Sequence, residues 1–253
     1  MPKPTIILVH GAWHRPDHYK PFLDVLERKG YPCIAPSLPS GSTPPPEDPP
    51  AADVRCIREA AVEVADQGRK IIAVAHSYGG IVATEAFAGL GVETRAKEGK
   101  KGGVRWLVYL TAYMVSGDDS LGSVLLPHPL TWLRVEGMEA VLAEDHDYGS
   151  VFYSDLPKAE HQKLKDLLRS FPIACAAYVP KAKAYLNIKT VYVYCENDLA
   201  VPLSVQRMLV DKVKELGVGV KEESLPAGHF PSLSMPGELA RVIERLLEYR
   251  ARI

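Results

Sequence analysis

Apolar residues in this chain follow two rhythms. Unbroken, β-branched-rich runs occur in "TIILVH" (5–10), "KIIAVAHS" (70–77), "VRWLVYLTA" (104–112) and "KTVYVYCEND" (189–198). Such runs predict strands buried on both faces. "CIAPSLP" (33–39) reads as a weaker strand, and "VKEESLPAGHF" (220–230) as a last strand followed by a loop. Between these runs, apolar positions recur every three or four residues. Phe22, Leu23 and Leu26 form one such stripe, with Gly30 as its stop. Val54, Ile57, Ala61 and Val64 form a second, and Leu239, Ile243, Leu246 and Leu247 a third. These spacings predict amphipathic helices, and "GGIVATEAFAGL" (79–90) and "LSVQRMLVDKVKEL" (203–216) read as two more.

Strand alternating with helix predicts an α/β fold with a mostly parallel sheet and helices on both faces. Three stretches break the rhythm. Six of the twelve residues in "PSGSTPPPEDPP" (39–50) are proline, which predicts a stiff surface connector. The basic, glycine-rich segment 91–103 reads as an exposed loop. Residues 113–180 show no buried strand, only scattered aromatics and short helical pieces such as "LPKAEHQKLKDLLRSF". The expected organisation is a core of residues 1–112 and 181–253 with an inserted, largely helical cap at 113–180.

Bulk composition narrows the function classes. The 253 residues are 47% hydrophobic and 24% charged, enough for one large core. A formal net charge of −1 offers no basic field for nucleic acid. No apolar run is long enough to span a membrane, and the N-terminus lacks a signal-peptide layout, so a cytoplasmic protein is expected. Cys33, Cys56, Cys175 and Cys195 are dispersed, which reads as reduced thiols without a metal site.

Candidate chemistry concentrates at strand ends. In "AHSYGG", Ser77 stands between an apolar strand and a small-residue helix, with glycines behind it. Small-x-Ser-x-Gly in that context is a nucleophile elbow; Ala75 takes the position usually held by glycine. As a bare serine it would read as a helix N-cap. An oxyanion needs two backbone N–H donors: Tyr78, directly after the serine, and Ala12, in the turn "VHGAWH" after the first strand. His229 in "AGHF" is the last of eight histidines and sits behind the last strand, where the base of a Ser–acid–His order belongs. Asp198 in "CENDLAVP" is the favoured acid, with Asp118 and Asp119 as competitors.

These four landmarks, in this order, resemble the α/β-hydrolase superfamily. The early start and the "HGAW" turn are similar to its plant methylesterase and hydroxynitrile-lyase branch and microbial relatives. The resemblance implies a sheet of about six strands and a cofactor-free Ser77–His229–Asp198 triad that hydrolyses a small-to-medium apolar ester or lactone. Substrate contacts are expected from Trp13, His76, Tyr113, Leu126, Trp132 and Phe230, with other cap residues such as Leu125, Leu133, Phe152 and Tyr153, and with His128 and His146 as polar contacts. The expected partner is a small-molecule substrate, with no nucleic acid or membrane and with a homodimer left open. A carbon–carbon lyase, a cofactor-free oxygenase and a non-catalytic receptor remain as alternatives. Phe230 stands where hydroxynitrile lyases carry lysine, which argues against cyanide chemistry.

Overall fold

The buried runs pair side by side in one parallel sheet. The computed structural model describes residues 2–127, 130–143 and 146–248. The sheet contains β1 (Thr5–Val9), β2 (Cys33–Ile34), β3 (Lys70–His76), β4 (Gly103–Leu110), β7 (Thr190–Cys195) and β8 (Val220–Leu225), in the order β2-β1-β3-β4-β7-β8. All five pairings are parallel. β5 (Leu133–Glu136) and β6 (Glu139–Leu142) form a separate antiparallel hairpin.

Side chains alternate across the sheet, as strand geometry requires. Ile7, Val9, Ala73, Ala75, Leu107 and Tyr109 face one core with Ile57, Ala61, Ile81 and Leu209. Ile6, Leu8, Ile72, Val74 and Val108 face the other, with Phe22, Leu26, Leu239 and Ile243. The first core is capped by α2 (Pro49–Asp66), α3 (Gly79–Ala86) and α9 (Leu203–Glu215); the second by α1 (Lys20–Arg28) and α11 (Pro236–Glu248). The edge strands are short (β2) or charged (β8, VKEESL), which discourages pairing with other chains.

The chain winds to one side of β1 through β2, then reverses to lay β3 on β1's other edge. Ligands of open α/β sheets bind at such a reversal, beyond the carboxyl ends of the strands. The loop after β1 and the turn after β3 therefore start beside one another: Val9 pairs with Ala75.

Three expectations change. The strand expected at 33–39 shrinks to two residues, and the chain then enters a single 3-10 turn at Pro39–Gly41. Segment 91–103 contains a helix, α4 (Val92–Lys97), held by buried Arg95 on Asp66 at 2.7 Å. Residues 113–180 carry short helices α5 (Leu121–Leu125), α6 (Tyr148–Phe152), α7 (Lys158–Lys165) and α8 (Ile173–Ala177), but also the unexpected hairpin. Gly137, at φ 59°, turns that hairpin, and the exposed positions of Val135 and Met138 hid its alternation. α10 (Pro231–Ser234) completes the helices. Among the described residues no helix is long and apolar enough to cross a membrane.

Candidate active site

Among the described residues, three non-glycine ones adopt a left-handed backbone: Trp13, Ser77 and Thr111, at φ 60°, 53° and 36°. Such conformations persist only where surrounding structure imposes them, and all three lie at the carboxyl edge of the sheet. Ser77 is the turn between β3 and α3, and its carbonyl accepts from the Gly80 and Tyr113 amides. The turn is tight enough to exclude side chains behind it. A Cβ on Gly79 would stand 2.3 Å from the Val9 carbonyl oxygen, and one on Gly80 would stand 2.8 Å from that of Tyr113. Both glycines are therefore required by backbone contact.

Asp198 follows β7, and its carboxylate is saturated. One oxygen accepts the Ala200 and Val201 amides at 2.7 and 2.8 Å; the other accepts the Thr111 hydroxyl at 2.5 Å and His229 Nδ1 at 2.7 Å. Both Asp198 and His229 are buried. The Nδ1 contact fixes the ring so that Nε2 is the free nitrogen. Asp118 is exposed, and Asp119 pairs with Lys212 at 2.9 Å, so neither competitor meets His229.

Ser77, Tyr78, Ala12 and His229 line one narrow cavity of about 40 Å³. Among the described residues, neither the Ala12 nor the Tyr78 amide has a protein acceptor. Its walls are otherwise apolar: Trp13, Tyr113, Trp132, Phe152 and Phe171 supply the aromatic part, and Leu121, Leu125, Leu130 and Leu133 the aliphatic part. No Asp, Glu, Lys or Arg side chain lines it among the described residues.

Three expected substrate contacts lie elsewhere. Leu126 is 81% exposed and points away from the cavity; Leu125, one residue earlier, takes the wall position because the short α5 sets the phase. His76 and Phe230 are buried behind the cavity, their rings 4.7 Å apart. Phe230 packs on His14 at 4.3 Å and closes the aromatic layer under the site. His76 Nε2–H donates to the His229 carbonyl at 2.8 Å, while its Nδ1 accepts from the Tyr19 hydroxyl at 2.7 Å. That hydroxyl accepts the Gly11 amide at 2.9 Å. Burial holds the His76 imidazole well below its ordinary pKa, so the network runs through a neutral ring. His146 is exposed, and His128 lies outside the described residues. Tyr153 serves the site indirectly: its hydroxyl meets His14 Nε2 at 2.9 Å, and His14 Nδ1 donates to the Ala12 carbonyl at 2.6 Å.

Other supporting residues were not singled out from the sequence. Asp155 accepts the Gly228 amide at 2.7 Å, next to His229. The Trp13 indole donates to the Ala140 carbonyl at 2.8 Å, joining the turn after β1 to the hairpin. Asp53 accepts the Tyr78 hydroxyl at 2.9 Å from within α2. Its signal was available: Asp53 falls four residues before Ile57, inside the apolar stripe of that helix.

Comparison with known proteins agrees with this fold. Residues 6–242 match the alpha/beta hydrolase family model. The chain is 33% identical over 247 residues to the alpha/beta hydrolase nvfD of Aspergillus novofumigatus, covering 96% of each. It is 28% identical over 259 residues to a pyrethroid hydrolase of Sphingobium wenxiniae, covering 94% of this chain and 85% of that one. Among solved structures, a pyrethroid hydrolase from Sphingobium faniae superposes with a TM-score of 0.75 at 24% identity, covering 99% of each chain. The methylesterase MES16 from Arabidopsis does so with a TM-score of 0.74 at 18% identity, covering 97% of this chain and 99% of that one. Sheet order, elbow and sequence match thus lead to one assignment: the chain belongs to the alpha/beta hydrolase family.

Proposed function

We propose that this protein is a serine hydrolase that cleaves small-to-medium apolar carboxylic esters or lactones, with Ser77 as nucleophile, His229 as base and Asp198 as its orienting acid. The observation that carries this reading is the shared cavity: Ser77 and His229 open into one apolar chamber beneath the Ala12 and Tyr78 amides, and Asp198 grips His229 from behind. The relative named as a pyrethroid hydrolase supports ester hydrolysis.

The chemistry follows from the geometry. Ser77 Oγ attacks the substrate carbonyl as its proton passes to His229 Nε2. The Asp198 carboxylate, on which four donors converge, stabilises the imidazolium through Nδ1–H. The oxyanion forms between the Ala12 and Tyr78 N–H groups, where preorganised donors contribute most to rate. Collapse breaks the ester bond, and the alkoxide leaves with the proton from His229. Water, deprotonated by the same imidazole, then attacks the acyl-enzyme, and the acid departs. The walls select an uncharged substrate, since a buried charge there would find no partner.

The test is a panel of chromogenic esters varied in acyl and alcohol size, with product analysis and Ser77→Ala as control. Turnover is expected to fall by about 10⁶-fold in S77A, and a fluorophosphonate is expected to label Ser77 alone. Undiminished S77A activity would remove Ser77 from the reaction.

A further inference from the structure

The proline-rich connector begins with a braced turn. The Leu38 amide donates to His10 Nε2 at 2.9 Å, and the Ser40 amide donates to Asp53 Oδ1 at 2.8 Å. Leu38, Ser40, His10 and Asp53 are all buried. Each acceptor reaches onward to one half of the oxyanion site. With Nε2 accepting, His10 carries its proton on Nδ1, which donates to the Gly11 carbonyl at 3.0 Å, one residue before Ala12. Asp53 Oδ2 accepts the hydroxyl of Tyr78, whose own amide is the second donor. The Tyr78 ring is fixed from its other side by Phe171, with centroids 4.9 Å apart.

We propose that residues 38–40 act as a common brace for the oxyanion site, with Asp53 and His10 as the positioning residues that tie its two donors to one rigid turn. The proposal rests on the hydrolase reading above. Neither residue touches the cavity; both act through backbone geometry. The energetic logic is that of a preorganised site. Two amides aimed at one oxygen lose effect when their separation drifts, and neither amide belongs to a helix or strand that would fix it. Pro39, at the first position of the 3-10 turn, stiffens the brace where both acceptors hold it. His10 is suited to the task because burial lowers its pKa to about 4, leaving it a neutral ring with one donor and one acceptor. The Asp53 carboxyl is raised to about 6 by the same cause, opposed by the Ser40 and Tyr78 bonds. The Cys175 thiol beside it is pushed up to about 12 and remains neutral.

The experiment compares wild type with Asp53→Ala, Asp53→Asn, Tyr78→Phe and the D53N/Y78F double variant, using a para-nitrophenyl ester and a fluorophosphonate. D53A is expected to lower kcat by about ten- to a hundredfold with KM changed by less than about twofold, and to slow Ser77 labelling in proportion. D53N keeps an acceptor for Ser40 and is expected to lie between D53A and wild type. Y78F removes only the phenol, and its loss is expected not to add to that of D53N, because both break the same contact. If D53A does not fold, D53N, Y78F and the double variant decide. The proposal is overturned if these retain kcat and labelling rate within about twofold of wild type, if the losses fall on KM alone, or if the two single losses multiply. A wild type that labels at Ser77 but cleaves no ester would retire the ester reading, and the labelling rates would then judge the brace by themselves.

Discussion

Lowering the pH from 7 to 5.5 should weaken this protein markedly, through histidines that take no part in bond cleavage. His10, His14 and His76 are buried beneath the site, and burial is the largest cause lowering each pKa: His10 to about 4, the other two well below the ordinary 6.5. Neighbouring imidazoles add to the effect; His14 feels His18, His76 and His229. A group with a depressed native pKa contributes stability that is present above its unfolded value and lost as pH falls. At pH 5.5 each of the three withholds a proton that the unfolded chain binds, a loss on the order of 1 kcal/mol apiece over the drop from pH 7. Asp53 acts in the opposite direction. Its native pKa is raised to about 6, so its contribution is full below the unfolded value of 3.8 and disappears as pH rises through 6. Over the same pH drop it returns roughly 1 kcal/mol, leaving a net loss on the order of 2 kcal/mol. Urea unfolding at the two pH values, followed by far-ultraviolet circular dichroism, measures the difference. A His10→Asn variant, which cannot titrate there, should reduce the pH dependence by about one proton. Unfolding free energies equal within about 1 kcal/mol at the two pH values would refute the reasoning.

Other consequences follow from single contacts. Gly79→Ala places a Cβ 2.3 Å from the Val9 carbonyl, so the variant should lose more than about 3 kcal/mol or fail to accumulate as soluble protein, as thermal melts would register. Thr111→Val removes one of four donors to Asp198 at nearly constant shape; kcat/KM should fall about tenfold or more with little change in melting temperature, and parity with wild type would deny the hydroxyl a role. Asp155→Ala releases the Gly228 amide beside His229 and the Ser234 hydroxyl; hydrogen exchange should rise in the segment 226–234 before it rises in β7. Phe171→Ala should lower KM for esters with larger acyl groups and raise it for the smallest, read from the same ester panel.

The parts legible in the sequence were those where backbone geometry restricts residue choice. Only glycine fits at positions 79 and 80, and the unbroken apolar runs fit only buried strands, so the elbow and the sheet announced themselves. The hydrogen bond from His229 to Asp198 rather than to Asp119 depended on which strand end each acid followed, and chain order carried that information. Side-chain direction was less accessible. His76 and Phe230 adjoin the candidate nucleophile and base in sequence, yet the pleat and the loop send them behind the cavity. Leu125 and Leu126 are chemically alike, and only the phase of a five-residue helix separates wall from surface. The hairpin stayed hidden because Val135 and Met138 leave apolar side chains in solvent, blurring the alternation that marks a strand. The turn at residues 38–40 was obscured by the proline-rich stretch that it opens, which resembles an ordinary linker.

Trp13 spans what looks like a boundary. Its indole N–H is fastened to the Ala140 carbonyl, its own carbonyl receives the Arg169 amide, and its neighbour Ala12 lines the cavity. Engineers who recombine such enzymes treat the region that selects the substrate as a cassette, separable from the machinery beneath it. Both anchors are main-chain groups of the 113–180 segment, so a transplanted segment holds Trp13 only where its backbone repeats this geometry at 140 and 169. New specificity is better sought by altering single wall residues and leaving the backbone at 140 and 169 undisturbed.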